Sequence, residues 1–294
     1  LYTPPTCNLL RGIVDMDSFS LRFASLSDNN FSISSFISSS SLDGFTNSYS
    51  VVIKRPDSED TSDDYEKAKE KASTILKKAI DGWKNKQKGK MNKNYWQTFA
   101  MTNANESLDG YYVYDVTTHD LNQATDYAAS ILELTMIGEN PYNYGGVNYV
   151  EGLKNLKGED GSYGPYACNI WALYALDAAG CYDEDLVKTV AGKACSKDFD
   201  LDMRGWALAA IQNHLDVEGV AEKSAIAIER MKLSQDGSGT DKVAFENPFY
   251  ANSNLSSHAC VIMGLTAAGI NIEDEDWKVD GVSPLDLIEK RQDE

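Results

Sequence analysis

Three carboxylates at alternate positions, Asp198, Asp200 and Asp202, stand just ahead of the apolar run Gly205-Trp206-Ala207-Leu208. Among residues whose type and spacing could do chemistry, they are the most suggestive in the chain. An Asp in front of a helix also caps it by accepting backbone N–H bonds, and Asp202 is the candidate cap for the helix through Trp206 and Leu208. The second signal is aromatic. Sixteen tyrosines are present, many of them between residues 127 and 250. Tyr and Trp at the mouth of a concave surface offer a stacking face and a polar handle, which suits sugars and flat ligands. Tyr142, Tyr144, Trp171, Trp206, Phe249 and Tyr250 are the candidates for such a lined cleft, and packing between helices is the alternative for each of them.

Metal and nucleophile chemistry is poorly supplied. Only three histidines occur, His119, His214 and His258. In His258-Ala259-Cys260 the imidazole and the thiol lie two positions apart on a helix and point away from each other. The segment Asp236-Gly237-Ser238-Gly239-Thr240-Asp241 spaces oxygen atoms like part of a calcium loop, but it lacks the further acids and the terminal Glu, and reads as a turn. Glu273-Asp274-Glu275-Asp276 reads as a solvated loop. Phosphate-loop, dinucleotide and nucleophile-elbow motifs are absent. No metal and no cofactor is therefore expected. The five cysteines, Cys7, Cys168, Cys181, Cys195 and Cys260, form no C-x-x-C pair. Cys168 and Cys260 fall in apolar helical runs as small core residues, and a bridge between Cys181 and Cys195 is conceivable.

The net charge of −18 and the pI near 4.5 argue against a nucleic-acid partner, since phosphate binding depends on Lys and Arg. Lys84, Lys86, Lys88, Lys90 and Lys93 interrupt that acidity and read as a solvated helix end. No apolar stretch approaches the ~18 residues of a membrane helix. The chain begins at Leu1, without an initiator methionine, and reads as a mature form or a fragment; further domains of the same protein are expected.

The elements that must position these residues follow from periodicity. Up to about residue 60, apolar and polar residues alternate in Phe19–Phe23, Phe31–Ser34 and Tyr49–Ile53, as in short strands, beside a Ser-rich stretch around Ser38–Ser41 that competes as irregular sequence. Lys54 to Asp64 reads as a linker. Tyr65, Ala68, Ala72, Ile75, Leu76, Ala79, Ile80 and Trp83 then form a helical stripe, and a further helix carries Tyr95, Trp96 and Phe99. From about residue 121 two helix types alternate. One is apolar on nearly every side (Ser130–Gly138, Ile170–Gly180, Gly205–Ile211, Cys260–Gly269). The other is amphipathic, as in Val217–Lys232. A helix apolar all round is buried on both sides, so alternation describes an inner layer wrapped by an outer one. The expected fold is mainly α: an α/α toroid or an open curved double layer of helical hairpins, with a short N-terminal β or irregular segment. Residues 1–60 would form that segment and 61–294 the repeat domain.

Two turns, Glu159-Asp160-Gly161-Ser162-Tyr163-Gly164 and Ser234-Gln235-Asp236-Gly237-Ser238-Gly239, follow outer helices. With Thr125-Asp126-Tyr127-Ala128, Gly145-Gly146-Val147-Asn148 and Leu265-Thr266-Ala267-Ala268-Gly269-Ile270, they make residues 92–294 resemble the prenyltransferase and squalene-cyclase repeats of the terpenoid-cyclase-like α/α toroid, most closely a bacterial surface-protein branch. Arg291-Gln292-Asp293-Glu294 resembles the start of a third such turn. About five inner helices can be counted where the family usually has six or seven, so the ring is expected to be open or to close beyond Glu294.

The resemblance leaves three readings, of which a purely architectural segment of a larger adhesin is the third. The first is a non-catalytic ligand-binding or surface-interaction domain of a secreted bacterial protein, extracellular or at the cell surface, taking a small molecule or glycan. Cobalamin carriers of this fold bind at the rim without a catalytic acid, so a cobamide-like ligand is included. The second is a terpenoid-cyclase-like or polysaccharide-acting enzyme with Asp200 and Asp202 as acids. Asp200-Leu201-Asp202-Met203 aligns with the family's D-x-D-D motif, whose third position protonates an alkene, but Met203 stands where the fourth Asp belongs. The Asp-x-Cys zinc pair and the Cys-Gly-Glu-Gln thioester of other branches are absent.

Overall fold

The computed structural model describes residues 26–27, 30–34, 50–53, 63–87, 116–165, 167–235, 241–246 and 255–292. The expected helix through Tyr95, the Ser-rich stretch and the loop carrying Phe249 and Tyr250 lie outside them. Three short strands, β1 (Leu26–Ser27), β2 (Asn30–Ser34) and β3 (Ser50–Ile53), pair antiparallel in that order, with Phe31 opposite both Leu26 and Ile53. The remainder of the described chain is mainly helical.

Helix α1 (Asp63–Gln87) turns the expected stripe inward: Ala72, Ile75, Leu76, Ala79 and Ile80 are all buried, while Lys77, Lys78 and Asp81 face solvent. Removing each of the larger of these side chains from water stabilises the fold by about 1.5–3 kcal/mol. The four apolar runs become α2 (Ala124–Met136), α4 (Cys168–Ala178), α6 (Leu201–Ile211) and α8 (Leu255–Ala267). Between and after them lie α3 (Tyr149–Lys154), α5 (Glu184–Ala194), α7 (Val220–Leu233) and α9 (Pro284–Gln292). Every residue of α6 is buried. Helix α7, by contrast, buries only Val220, Ser224, Ala227 and Met231, a spacing of fours and threes that marks one face. Helix α2 packs on α4 and α6 on α8, α5 lies against α4 and α6, and α7 covers α5 and α6. Helix α9 touches both α8 and α1.

Lys71 of α1 reaches Glu273 Oε2 at 3.0 Å and Asp286 Oδ1 of α9 at 2.6 Å. Burial opposes the charge on Lys71, but the two carboxylates outweigh it and raise its pKa. Burial likewise pushes Asp286 upward, and the bonds from Lys71 and the Ser283 amide overcome it and hold the carboxyl below its usual range.

Three of the apolar runs stop in the same way. Gly138, Gly180 and Gly269 follow the helices with φ of 80°, 72° and 77°. The next amides, of Glu139, Cys181 and Ile270, bond back to Leu134, Leu176 and Leu265 at 2.8, 2.7 and 3.0 Å. Glycine is needed because the left-handed conformation costs an L-residue roughly 1–2 kcal/mol. The run Gly205–Ile211 differs. There α6 passes into a 3₁₀ turn over Gln212–His214, and Leu215 stays right-handed at φ −66°.

The innermost contact is backbone on backbone. A Cβ on Gly205 of α6 would lie 2.1 Å from the Cys260 carbonyl oxygen of α8, and one on Gly264 would lie 2.7 Å from the Gly205 oxygen. Neither glycine can carry a side chain without separating the two helices.

Candidate functional site

The start of α6 places the carboxylates. Asp200 is the N-cap, with Oδ1 accepting the amides of Asp202 at 2.9 Å and Met203 at 3.2 Å. The cap is thus Asp200 rather than Asp202, because the helix begins one residue after Asp200. Asp202 falls in the first turn and is buried. Beside them Arg204, only 5% exposed, donates to three backbone carbonyls: Ala194 at 2.6 Å, Ser196 at 2.9 Å and Phe199 at 3.0 Å. Arg230 Nε adds a bond to the Cys195 carbonyl at 2.8 Å. The link between α5 and α6 is therefore stapled by two guanidiniums, and Arg204 has a structural task. Burial lowers the Arg204 pKa.

The aromatic candidates separate into two groups. Trp171 of α4 and Trp206 of α6 meet with ring centroids 4.7 Å apart, and Tyr174 joins them at 5.6 and 5.9 Å, with its hydroxyl donating to the Trp206 carbonyl at 3.0 Å. Trp171 is 4% and Trp206 1% exposed, so the two rings fill the interface between α4 and α6. Tyr142 belongs elsewhere. Its hydroxyl donates to the Ala179 carbonyl at 2.7 Å and lies 3.1 Å from Cys181 Sγ, at the far end of α4 from Trp171. Tyr144 opens a two-residue hairpin turn. Tyr144 and Val147 exchange amide–carbonyl bonds at 3.1 and 3.0 Å around Gly145 and Gly146, at φ 61° and 82°. The six candidates are therefore not brought to one cleft by the described residues: two are core, two sit on a turn, and Phe249 and Tyr250 fall outside.

A feature absent from the sequence reading is the side-by-side packing of successive turns. The turn after α2 holds the one after α4 through Tyr142. The end of α4 holds the turn after α6 through Asp177 Oδ2 and His214 Nε2, 2.8 Å apart. Burial raises the Asp177 pKa against the pull of the imidazole. Tyr182 rests its ring on His214 with centroids 6.0 Å apart and is nevertheless 62% exposed. Just behind it Asp183 caps α5, accepting from Leu186 N at 3.1 Å, Lys157 Nζ at 2.6 Å and Tyr163 OH at 3.3 Å. Burial alone would lift the Asp183 pKa, but Lys157, the Leu186 amide and the Tyr163 hydroxyl hold it below the usual carboxylate range. Lys157 precedes the Glu159–Gly164 turn and Tyr163 belongs to it, so this turn clamps the start of α5. In the second such turn Gln235 Nε2 reaches the carbonyls of Val243 at 3.1 Å and Trp277 at 2.9 Å.

His258 is the most buried imidazole. Its Nε2 donates to the Pro284 carbonyl at 2.8 Å, which leaves Nδ1 to accept the Phe245 amide at 3.4 Å. Burial drives its pKa down to about 4. The ring, in its neutral form, joins α8, the start of α9 and residues 241–246. Cys181 and Cys195 are free thiols. They lie at opposite ends of α5, whose length of about 16 Å is far beyond disulfide reach. That corrects the conceivable pairing.

Among the described residues no group of three or more His, Cys, Asp or Glu side chains is placed to hold a metal ion, and no helix is long and apolar enough to cross a membrane. No family model matches the chain, and neither does any curated protein or solved structure.

Proposed function

We propose that the chain is a non-catalytic ligand-binding or surface-interaction domain of a secreted bacterial protein, built on α/α-toroid repeats of the prenyltransferase and squalene-cyclase type. The observation that carries this reading is the fate of the chemically suggestive residues. The Asp200 carboxylate caps α6, and Trp171 and Trp206 pack against each other inside the molecule. Among the described residues the turns after α2, α4, α6 and α8 keep exposed apolar side chains, Val147, Tyr182, Leu215 and Val282. Alternation of wholly buried and one-sided helices, and the tie from α1 to α9 through Lys71, support a curved double layer whose ends approach each other. The ligand class is a glycan or cobamide-like molecule, and the setting extracellular or at the cell surface, with further domains beside this one.

The alternative, a terpenoid-cyclase-like or polysaccharide-acting enzyme, is favoured by one observation. Asp202 is buried in the first turn of α6, at the position that aligns with the proton-donating acid of the D-x-D-D motif. A thermal-shift panel of cobamides, glycans, calcium and an isoprenoid diphosphate separates the two, since a ligand of the folded state raises the midpoint. A shift with a cobamide or glycan supports the interaction domain. A shift confined to the isoprenoid, abolished in Asp202→Asn, overturns it.

A further inference from the structure

Among the described residues six large apolar side chains stand exposed, and four of them, Val147, Tyr182, Leu215 and Val282, occupy the four turns that follow α2, α4, α6 and α8. Isolated exposed apolar residues are ordinary. One on each successive turn is a pattern, and the first three turns are bonded to one another by Tyr142–Ala179 and by His214 with Asp177 and Tyr182. The row is therefore rigid before anything binds, which lowers the ordering cost of association.

Charge narrows the occupant. Residues 137–151, 179–188 and 212–219 carry seven carboxylates and one lysine, Lys188, which is already paired with Glu184 at 2.6 Å. Glu184 and Asp216 act on the Tyr182 hydroxyl, with Lys188 opposing them. An exposed ring on an acidic turn suits a cationic side chain lying over its face. Nucleic acid and anionic polymers are repelled by the same charges. A partner must present apolar groups at intervals and cations between them, which a polypeptide does.

We infer that the first three inner-to-outer turns form a docking row for a cationic polypeptide segment, with Val147, Tyr182 and Leu215 as its apolar contacts and the exposed Asp216 and Glu218 as its charge partners. This rests on the reading of the chain as an interaction domain and names a partner class for it. The test is titration of the isotope-labelled chain with a synthetic peptide repeating Arg-Leu-Ser, followed by backbone amide shifts. Shifts confined to the three turns are expected, with affinity reduced about tenfold or more in Tyr182→Ala. Leu233→Ala, which removes a 72% exposed apolar residue beyond the row, should leave affinity unchanged. Shifts scattered over the acidic surface, equal losses in the two variants, or no binding each overturn the docking row. If the peptide fails while a cobamide or glycan raises the melting midpoint, the interaction domain stands and only the polypeptide partner is lost.

Discussion

The α6–α8 pair and the row of turns after α2, α4 and α6 hold the same kinds of residue, carboxylates, aromatics and histidine, and use them differently. In the first region they are buried in packing and helix capping. Asp200 caps a helix, Trp206 packs on Trp171, and His258 donates to a carbonyl while accepting from an amide. In the second region Tyr182 and Leu215 stand on a surface whose rigidity comes from buried bonds underneath, such as His214 with Asp177. Residue type alone does not locate function. What distinguishes the regions is whether the side chain still has a face to offer.

The sharpest way to break this contrast is at the helix crossing. Gly205→Ala places a methyl group 2.1 Å from the Cys260 oxygen, so α6 and α8 must part. A loss of at least about 3 kcal/mol in urea unfolding is expected, or failure to fold. Gly152→Ala is the comparison, since its methyl meets only the ring edge of Tyr127, which can swing aside, and a smaller loss is expected.

Acid tests the same core through His258. Its pKa falls from an ordinary 6.5 to about 4 in the folded state. Between those values the unfolded chain binds the proton and the folded chain does not. The contribution is fully present above about pH 6.5 and is lost as the pH falls toward 4, a change of roughly 3 kcal/mol. His258→Gln keeps a donor and an acceptor but does not titrate. Unfolding free energies measured at pH 7 and near pH 4 should show wild type losing more than the variant by about that amount. Equal losses would mean that the imidazole is not buried as a neutral ring.

Much of the scaffold was legible from the residues, for identifiable reasons. The stops at Gly138, Gly180 and Gly269 are local demands of a left-handed backbone, so three residues announce them. The two helix types follow from which faces are apolar. The crossing at Gly205 and Gly264 was not legible, because nothing local marks a glycine that another helix will touch. Arg204 was missed for the same reason: its three acceptors are carbonyls of the preceding link, and carbonyls leave no mark in a sequence. Asp202 was read as the cap, and Asp200 takes that place because α6 begins at Leu201, a boundary that the residue types do not fix. The turn at Val279–Val282 matches that at Tyr144–Val147 in its paired bonds, yet uses Asp280 and Gly281 at φ 54° and 78° where the other has two glycines. Geometry is shared there and sequence is not. That Trp171 and Trp206 pack into the core was not legible, because the burial of each ring depends on the other.

The smallest expected effect concerns the cap. Asp200→Ala should cost about 1 kcal/mol in thermal or chemical unfolding, and Asp200→Asn only a few tenths, because Asn still accepts the two amides. Equal losses in both would point to the charge, and hence to the acid reading.

The contrast between the two regions is tested most directly by equilibrium urea unfolding of Trp206→Ala and Tyr182→Ala side by side. Trp206 is 1% exposed and Tyr182 62% exposed. The first variant should lose about 3–5 kcal/mol and the second no more than about 0.5 kcal/mol. A Tyr182→Ala loss as large as that of Trp206→Ala would make the turn row part of the scaffold, and the account of where this protein meets its ligand would be wrong.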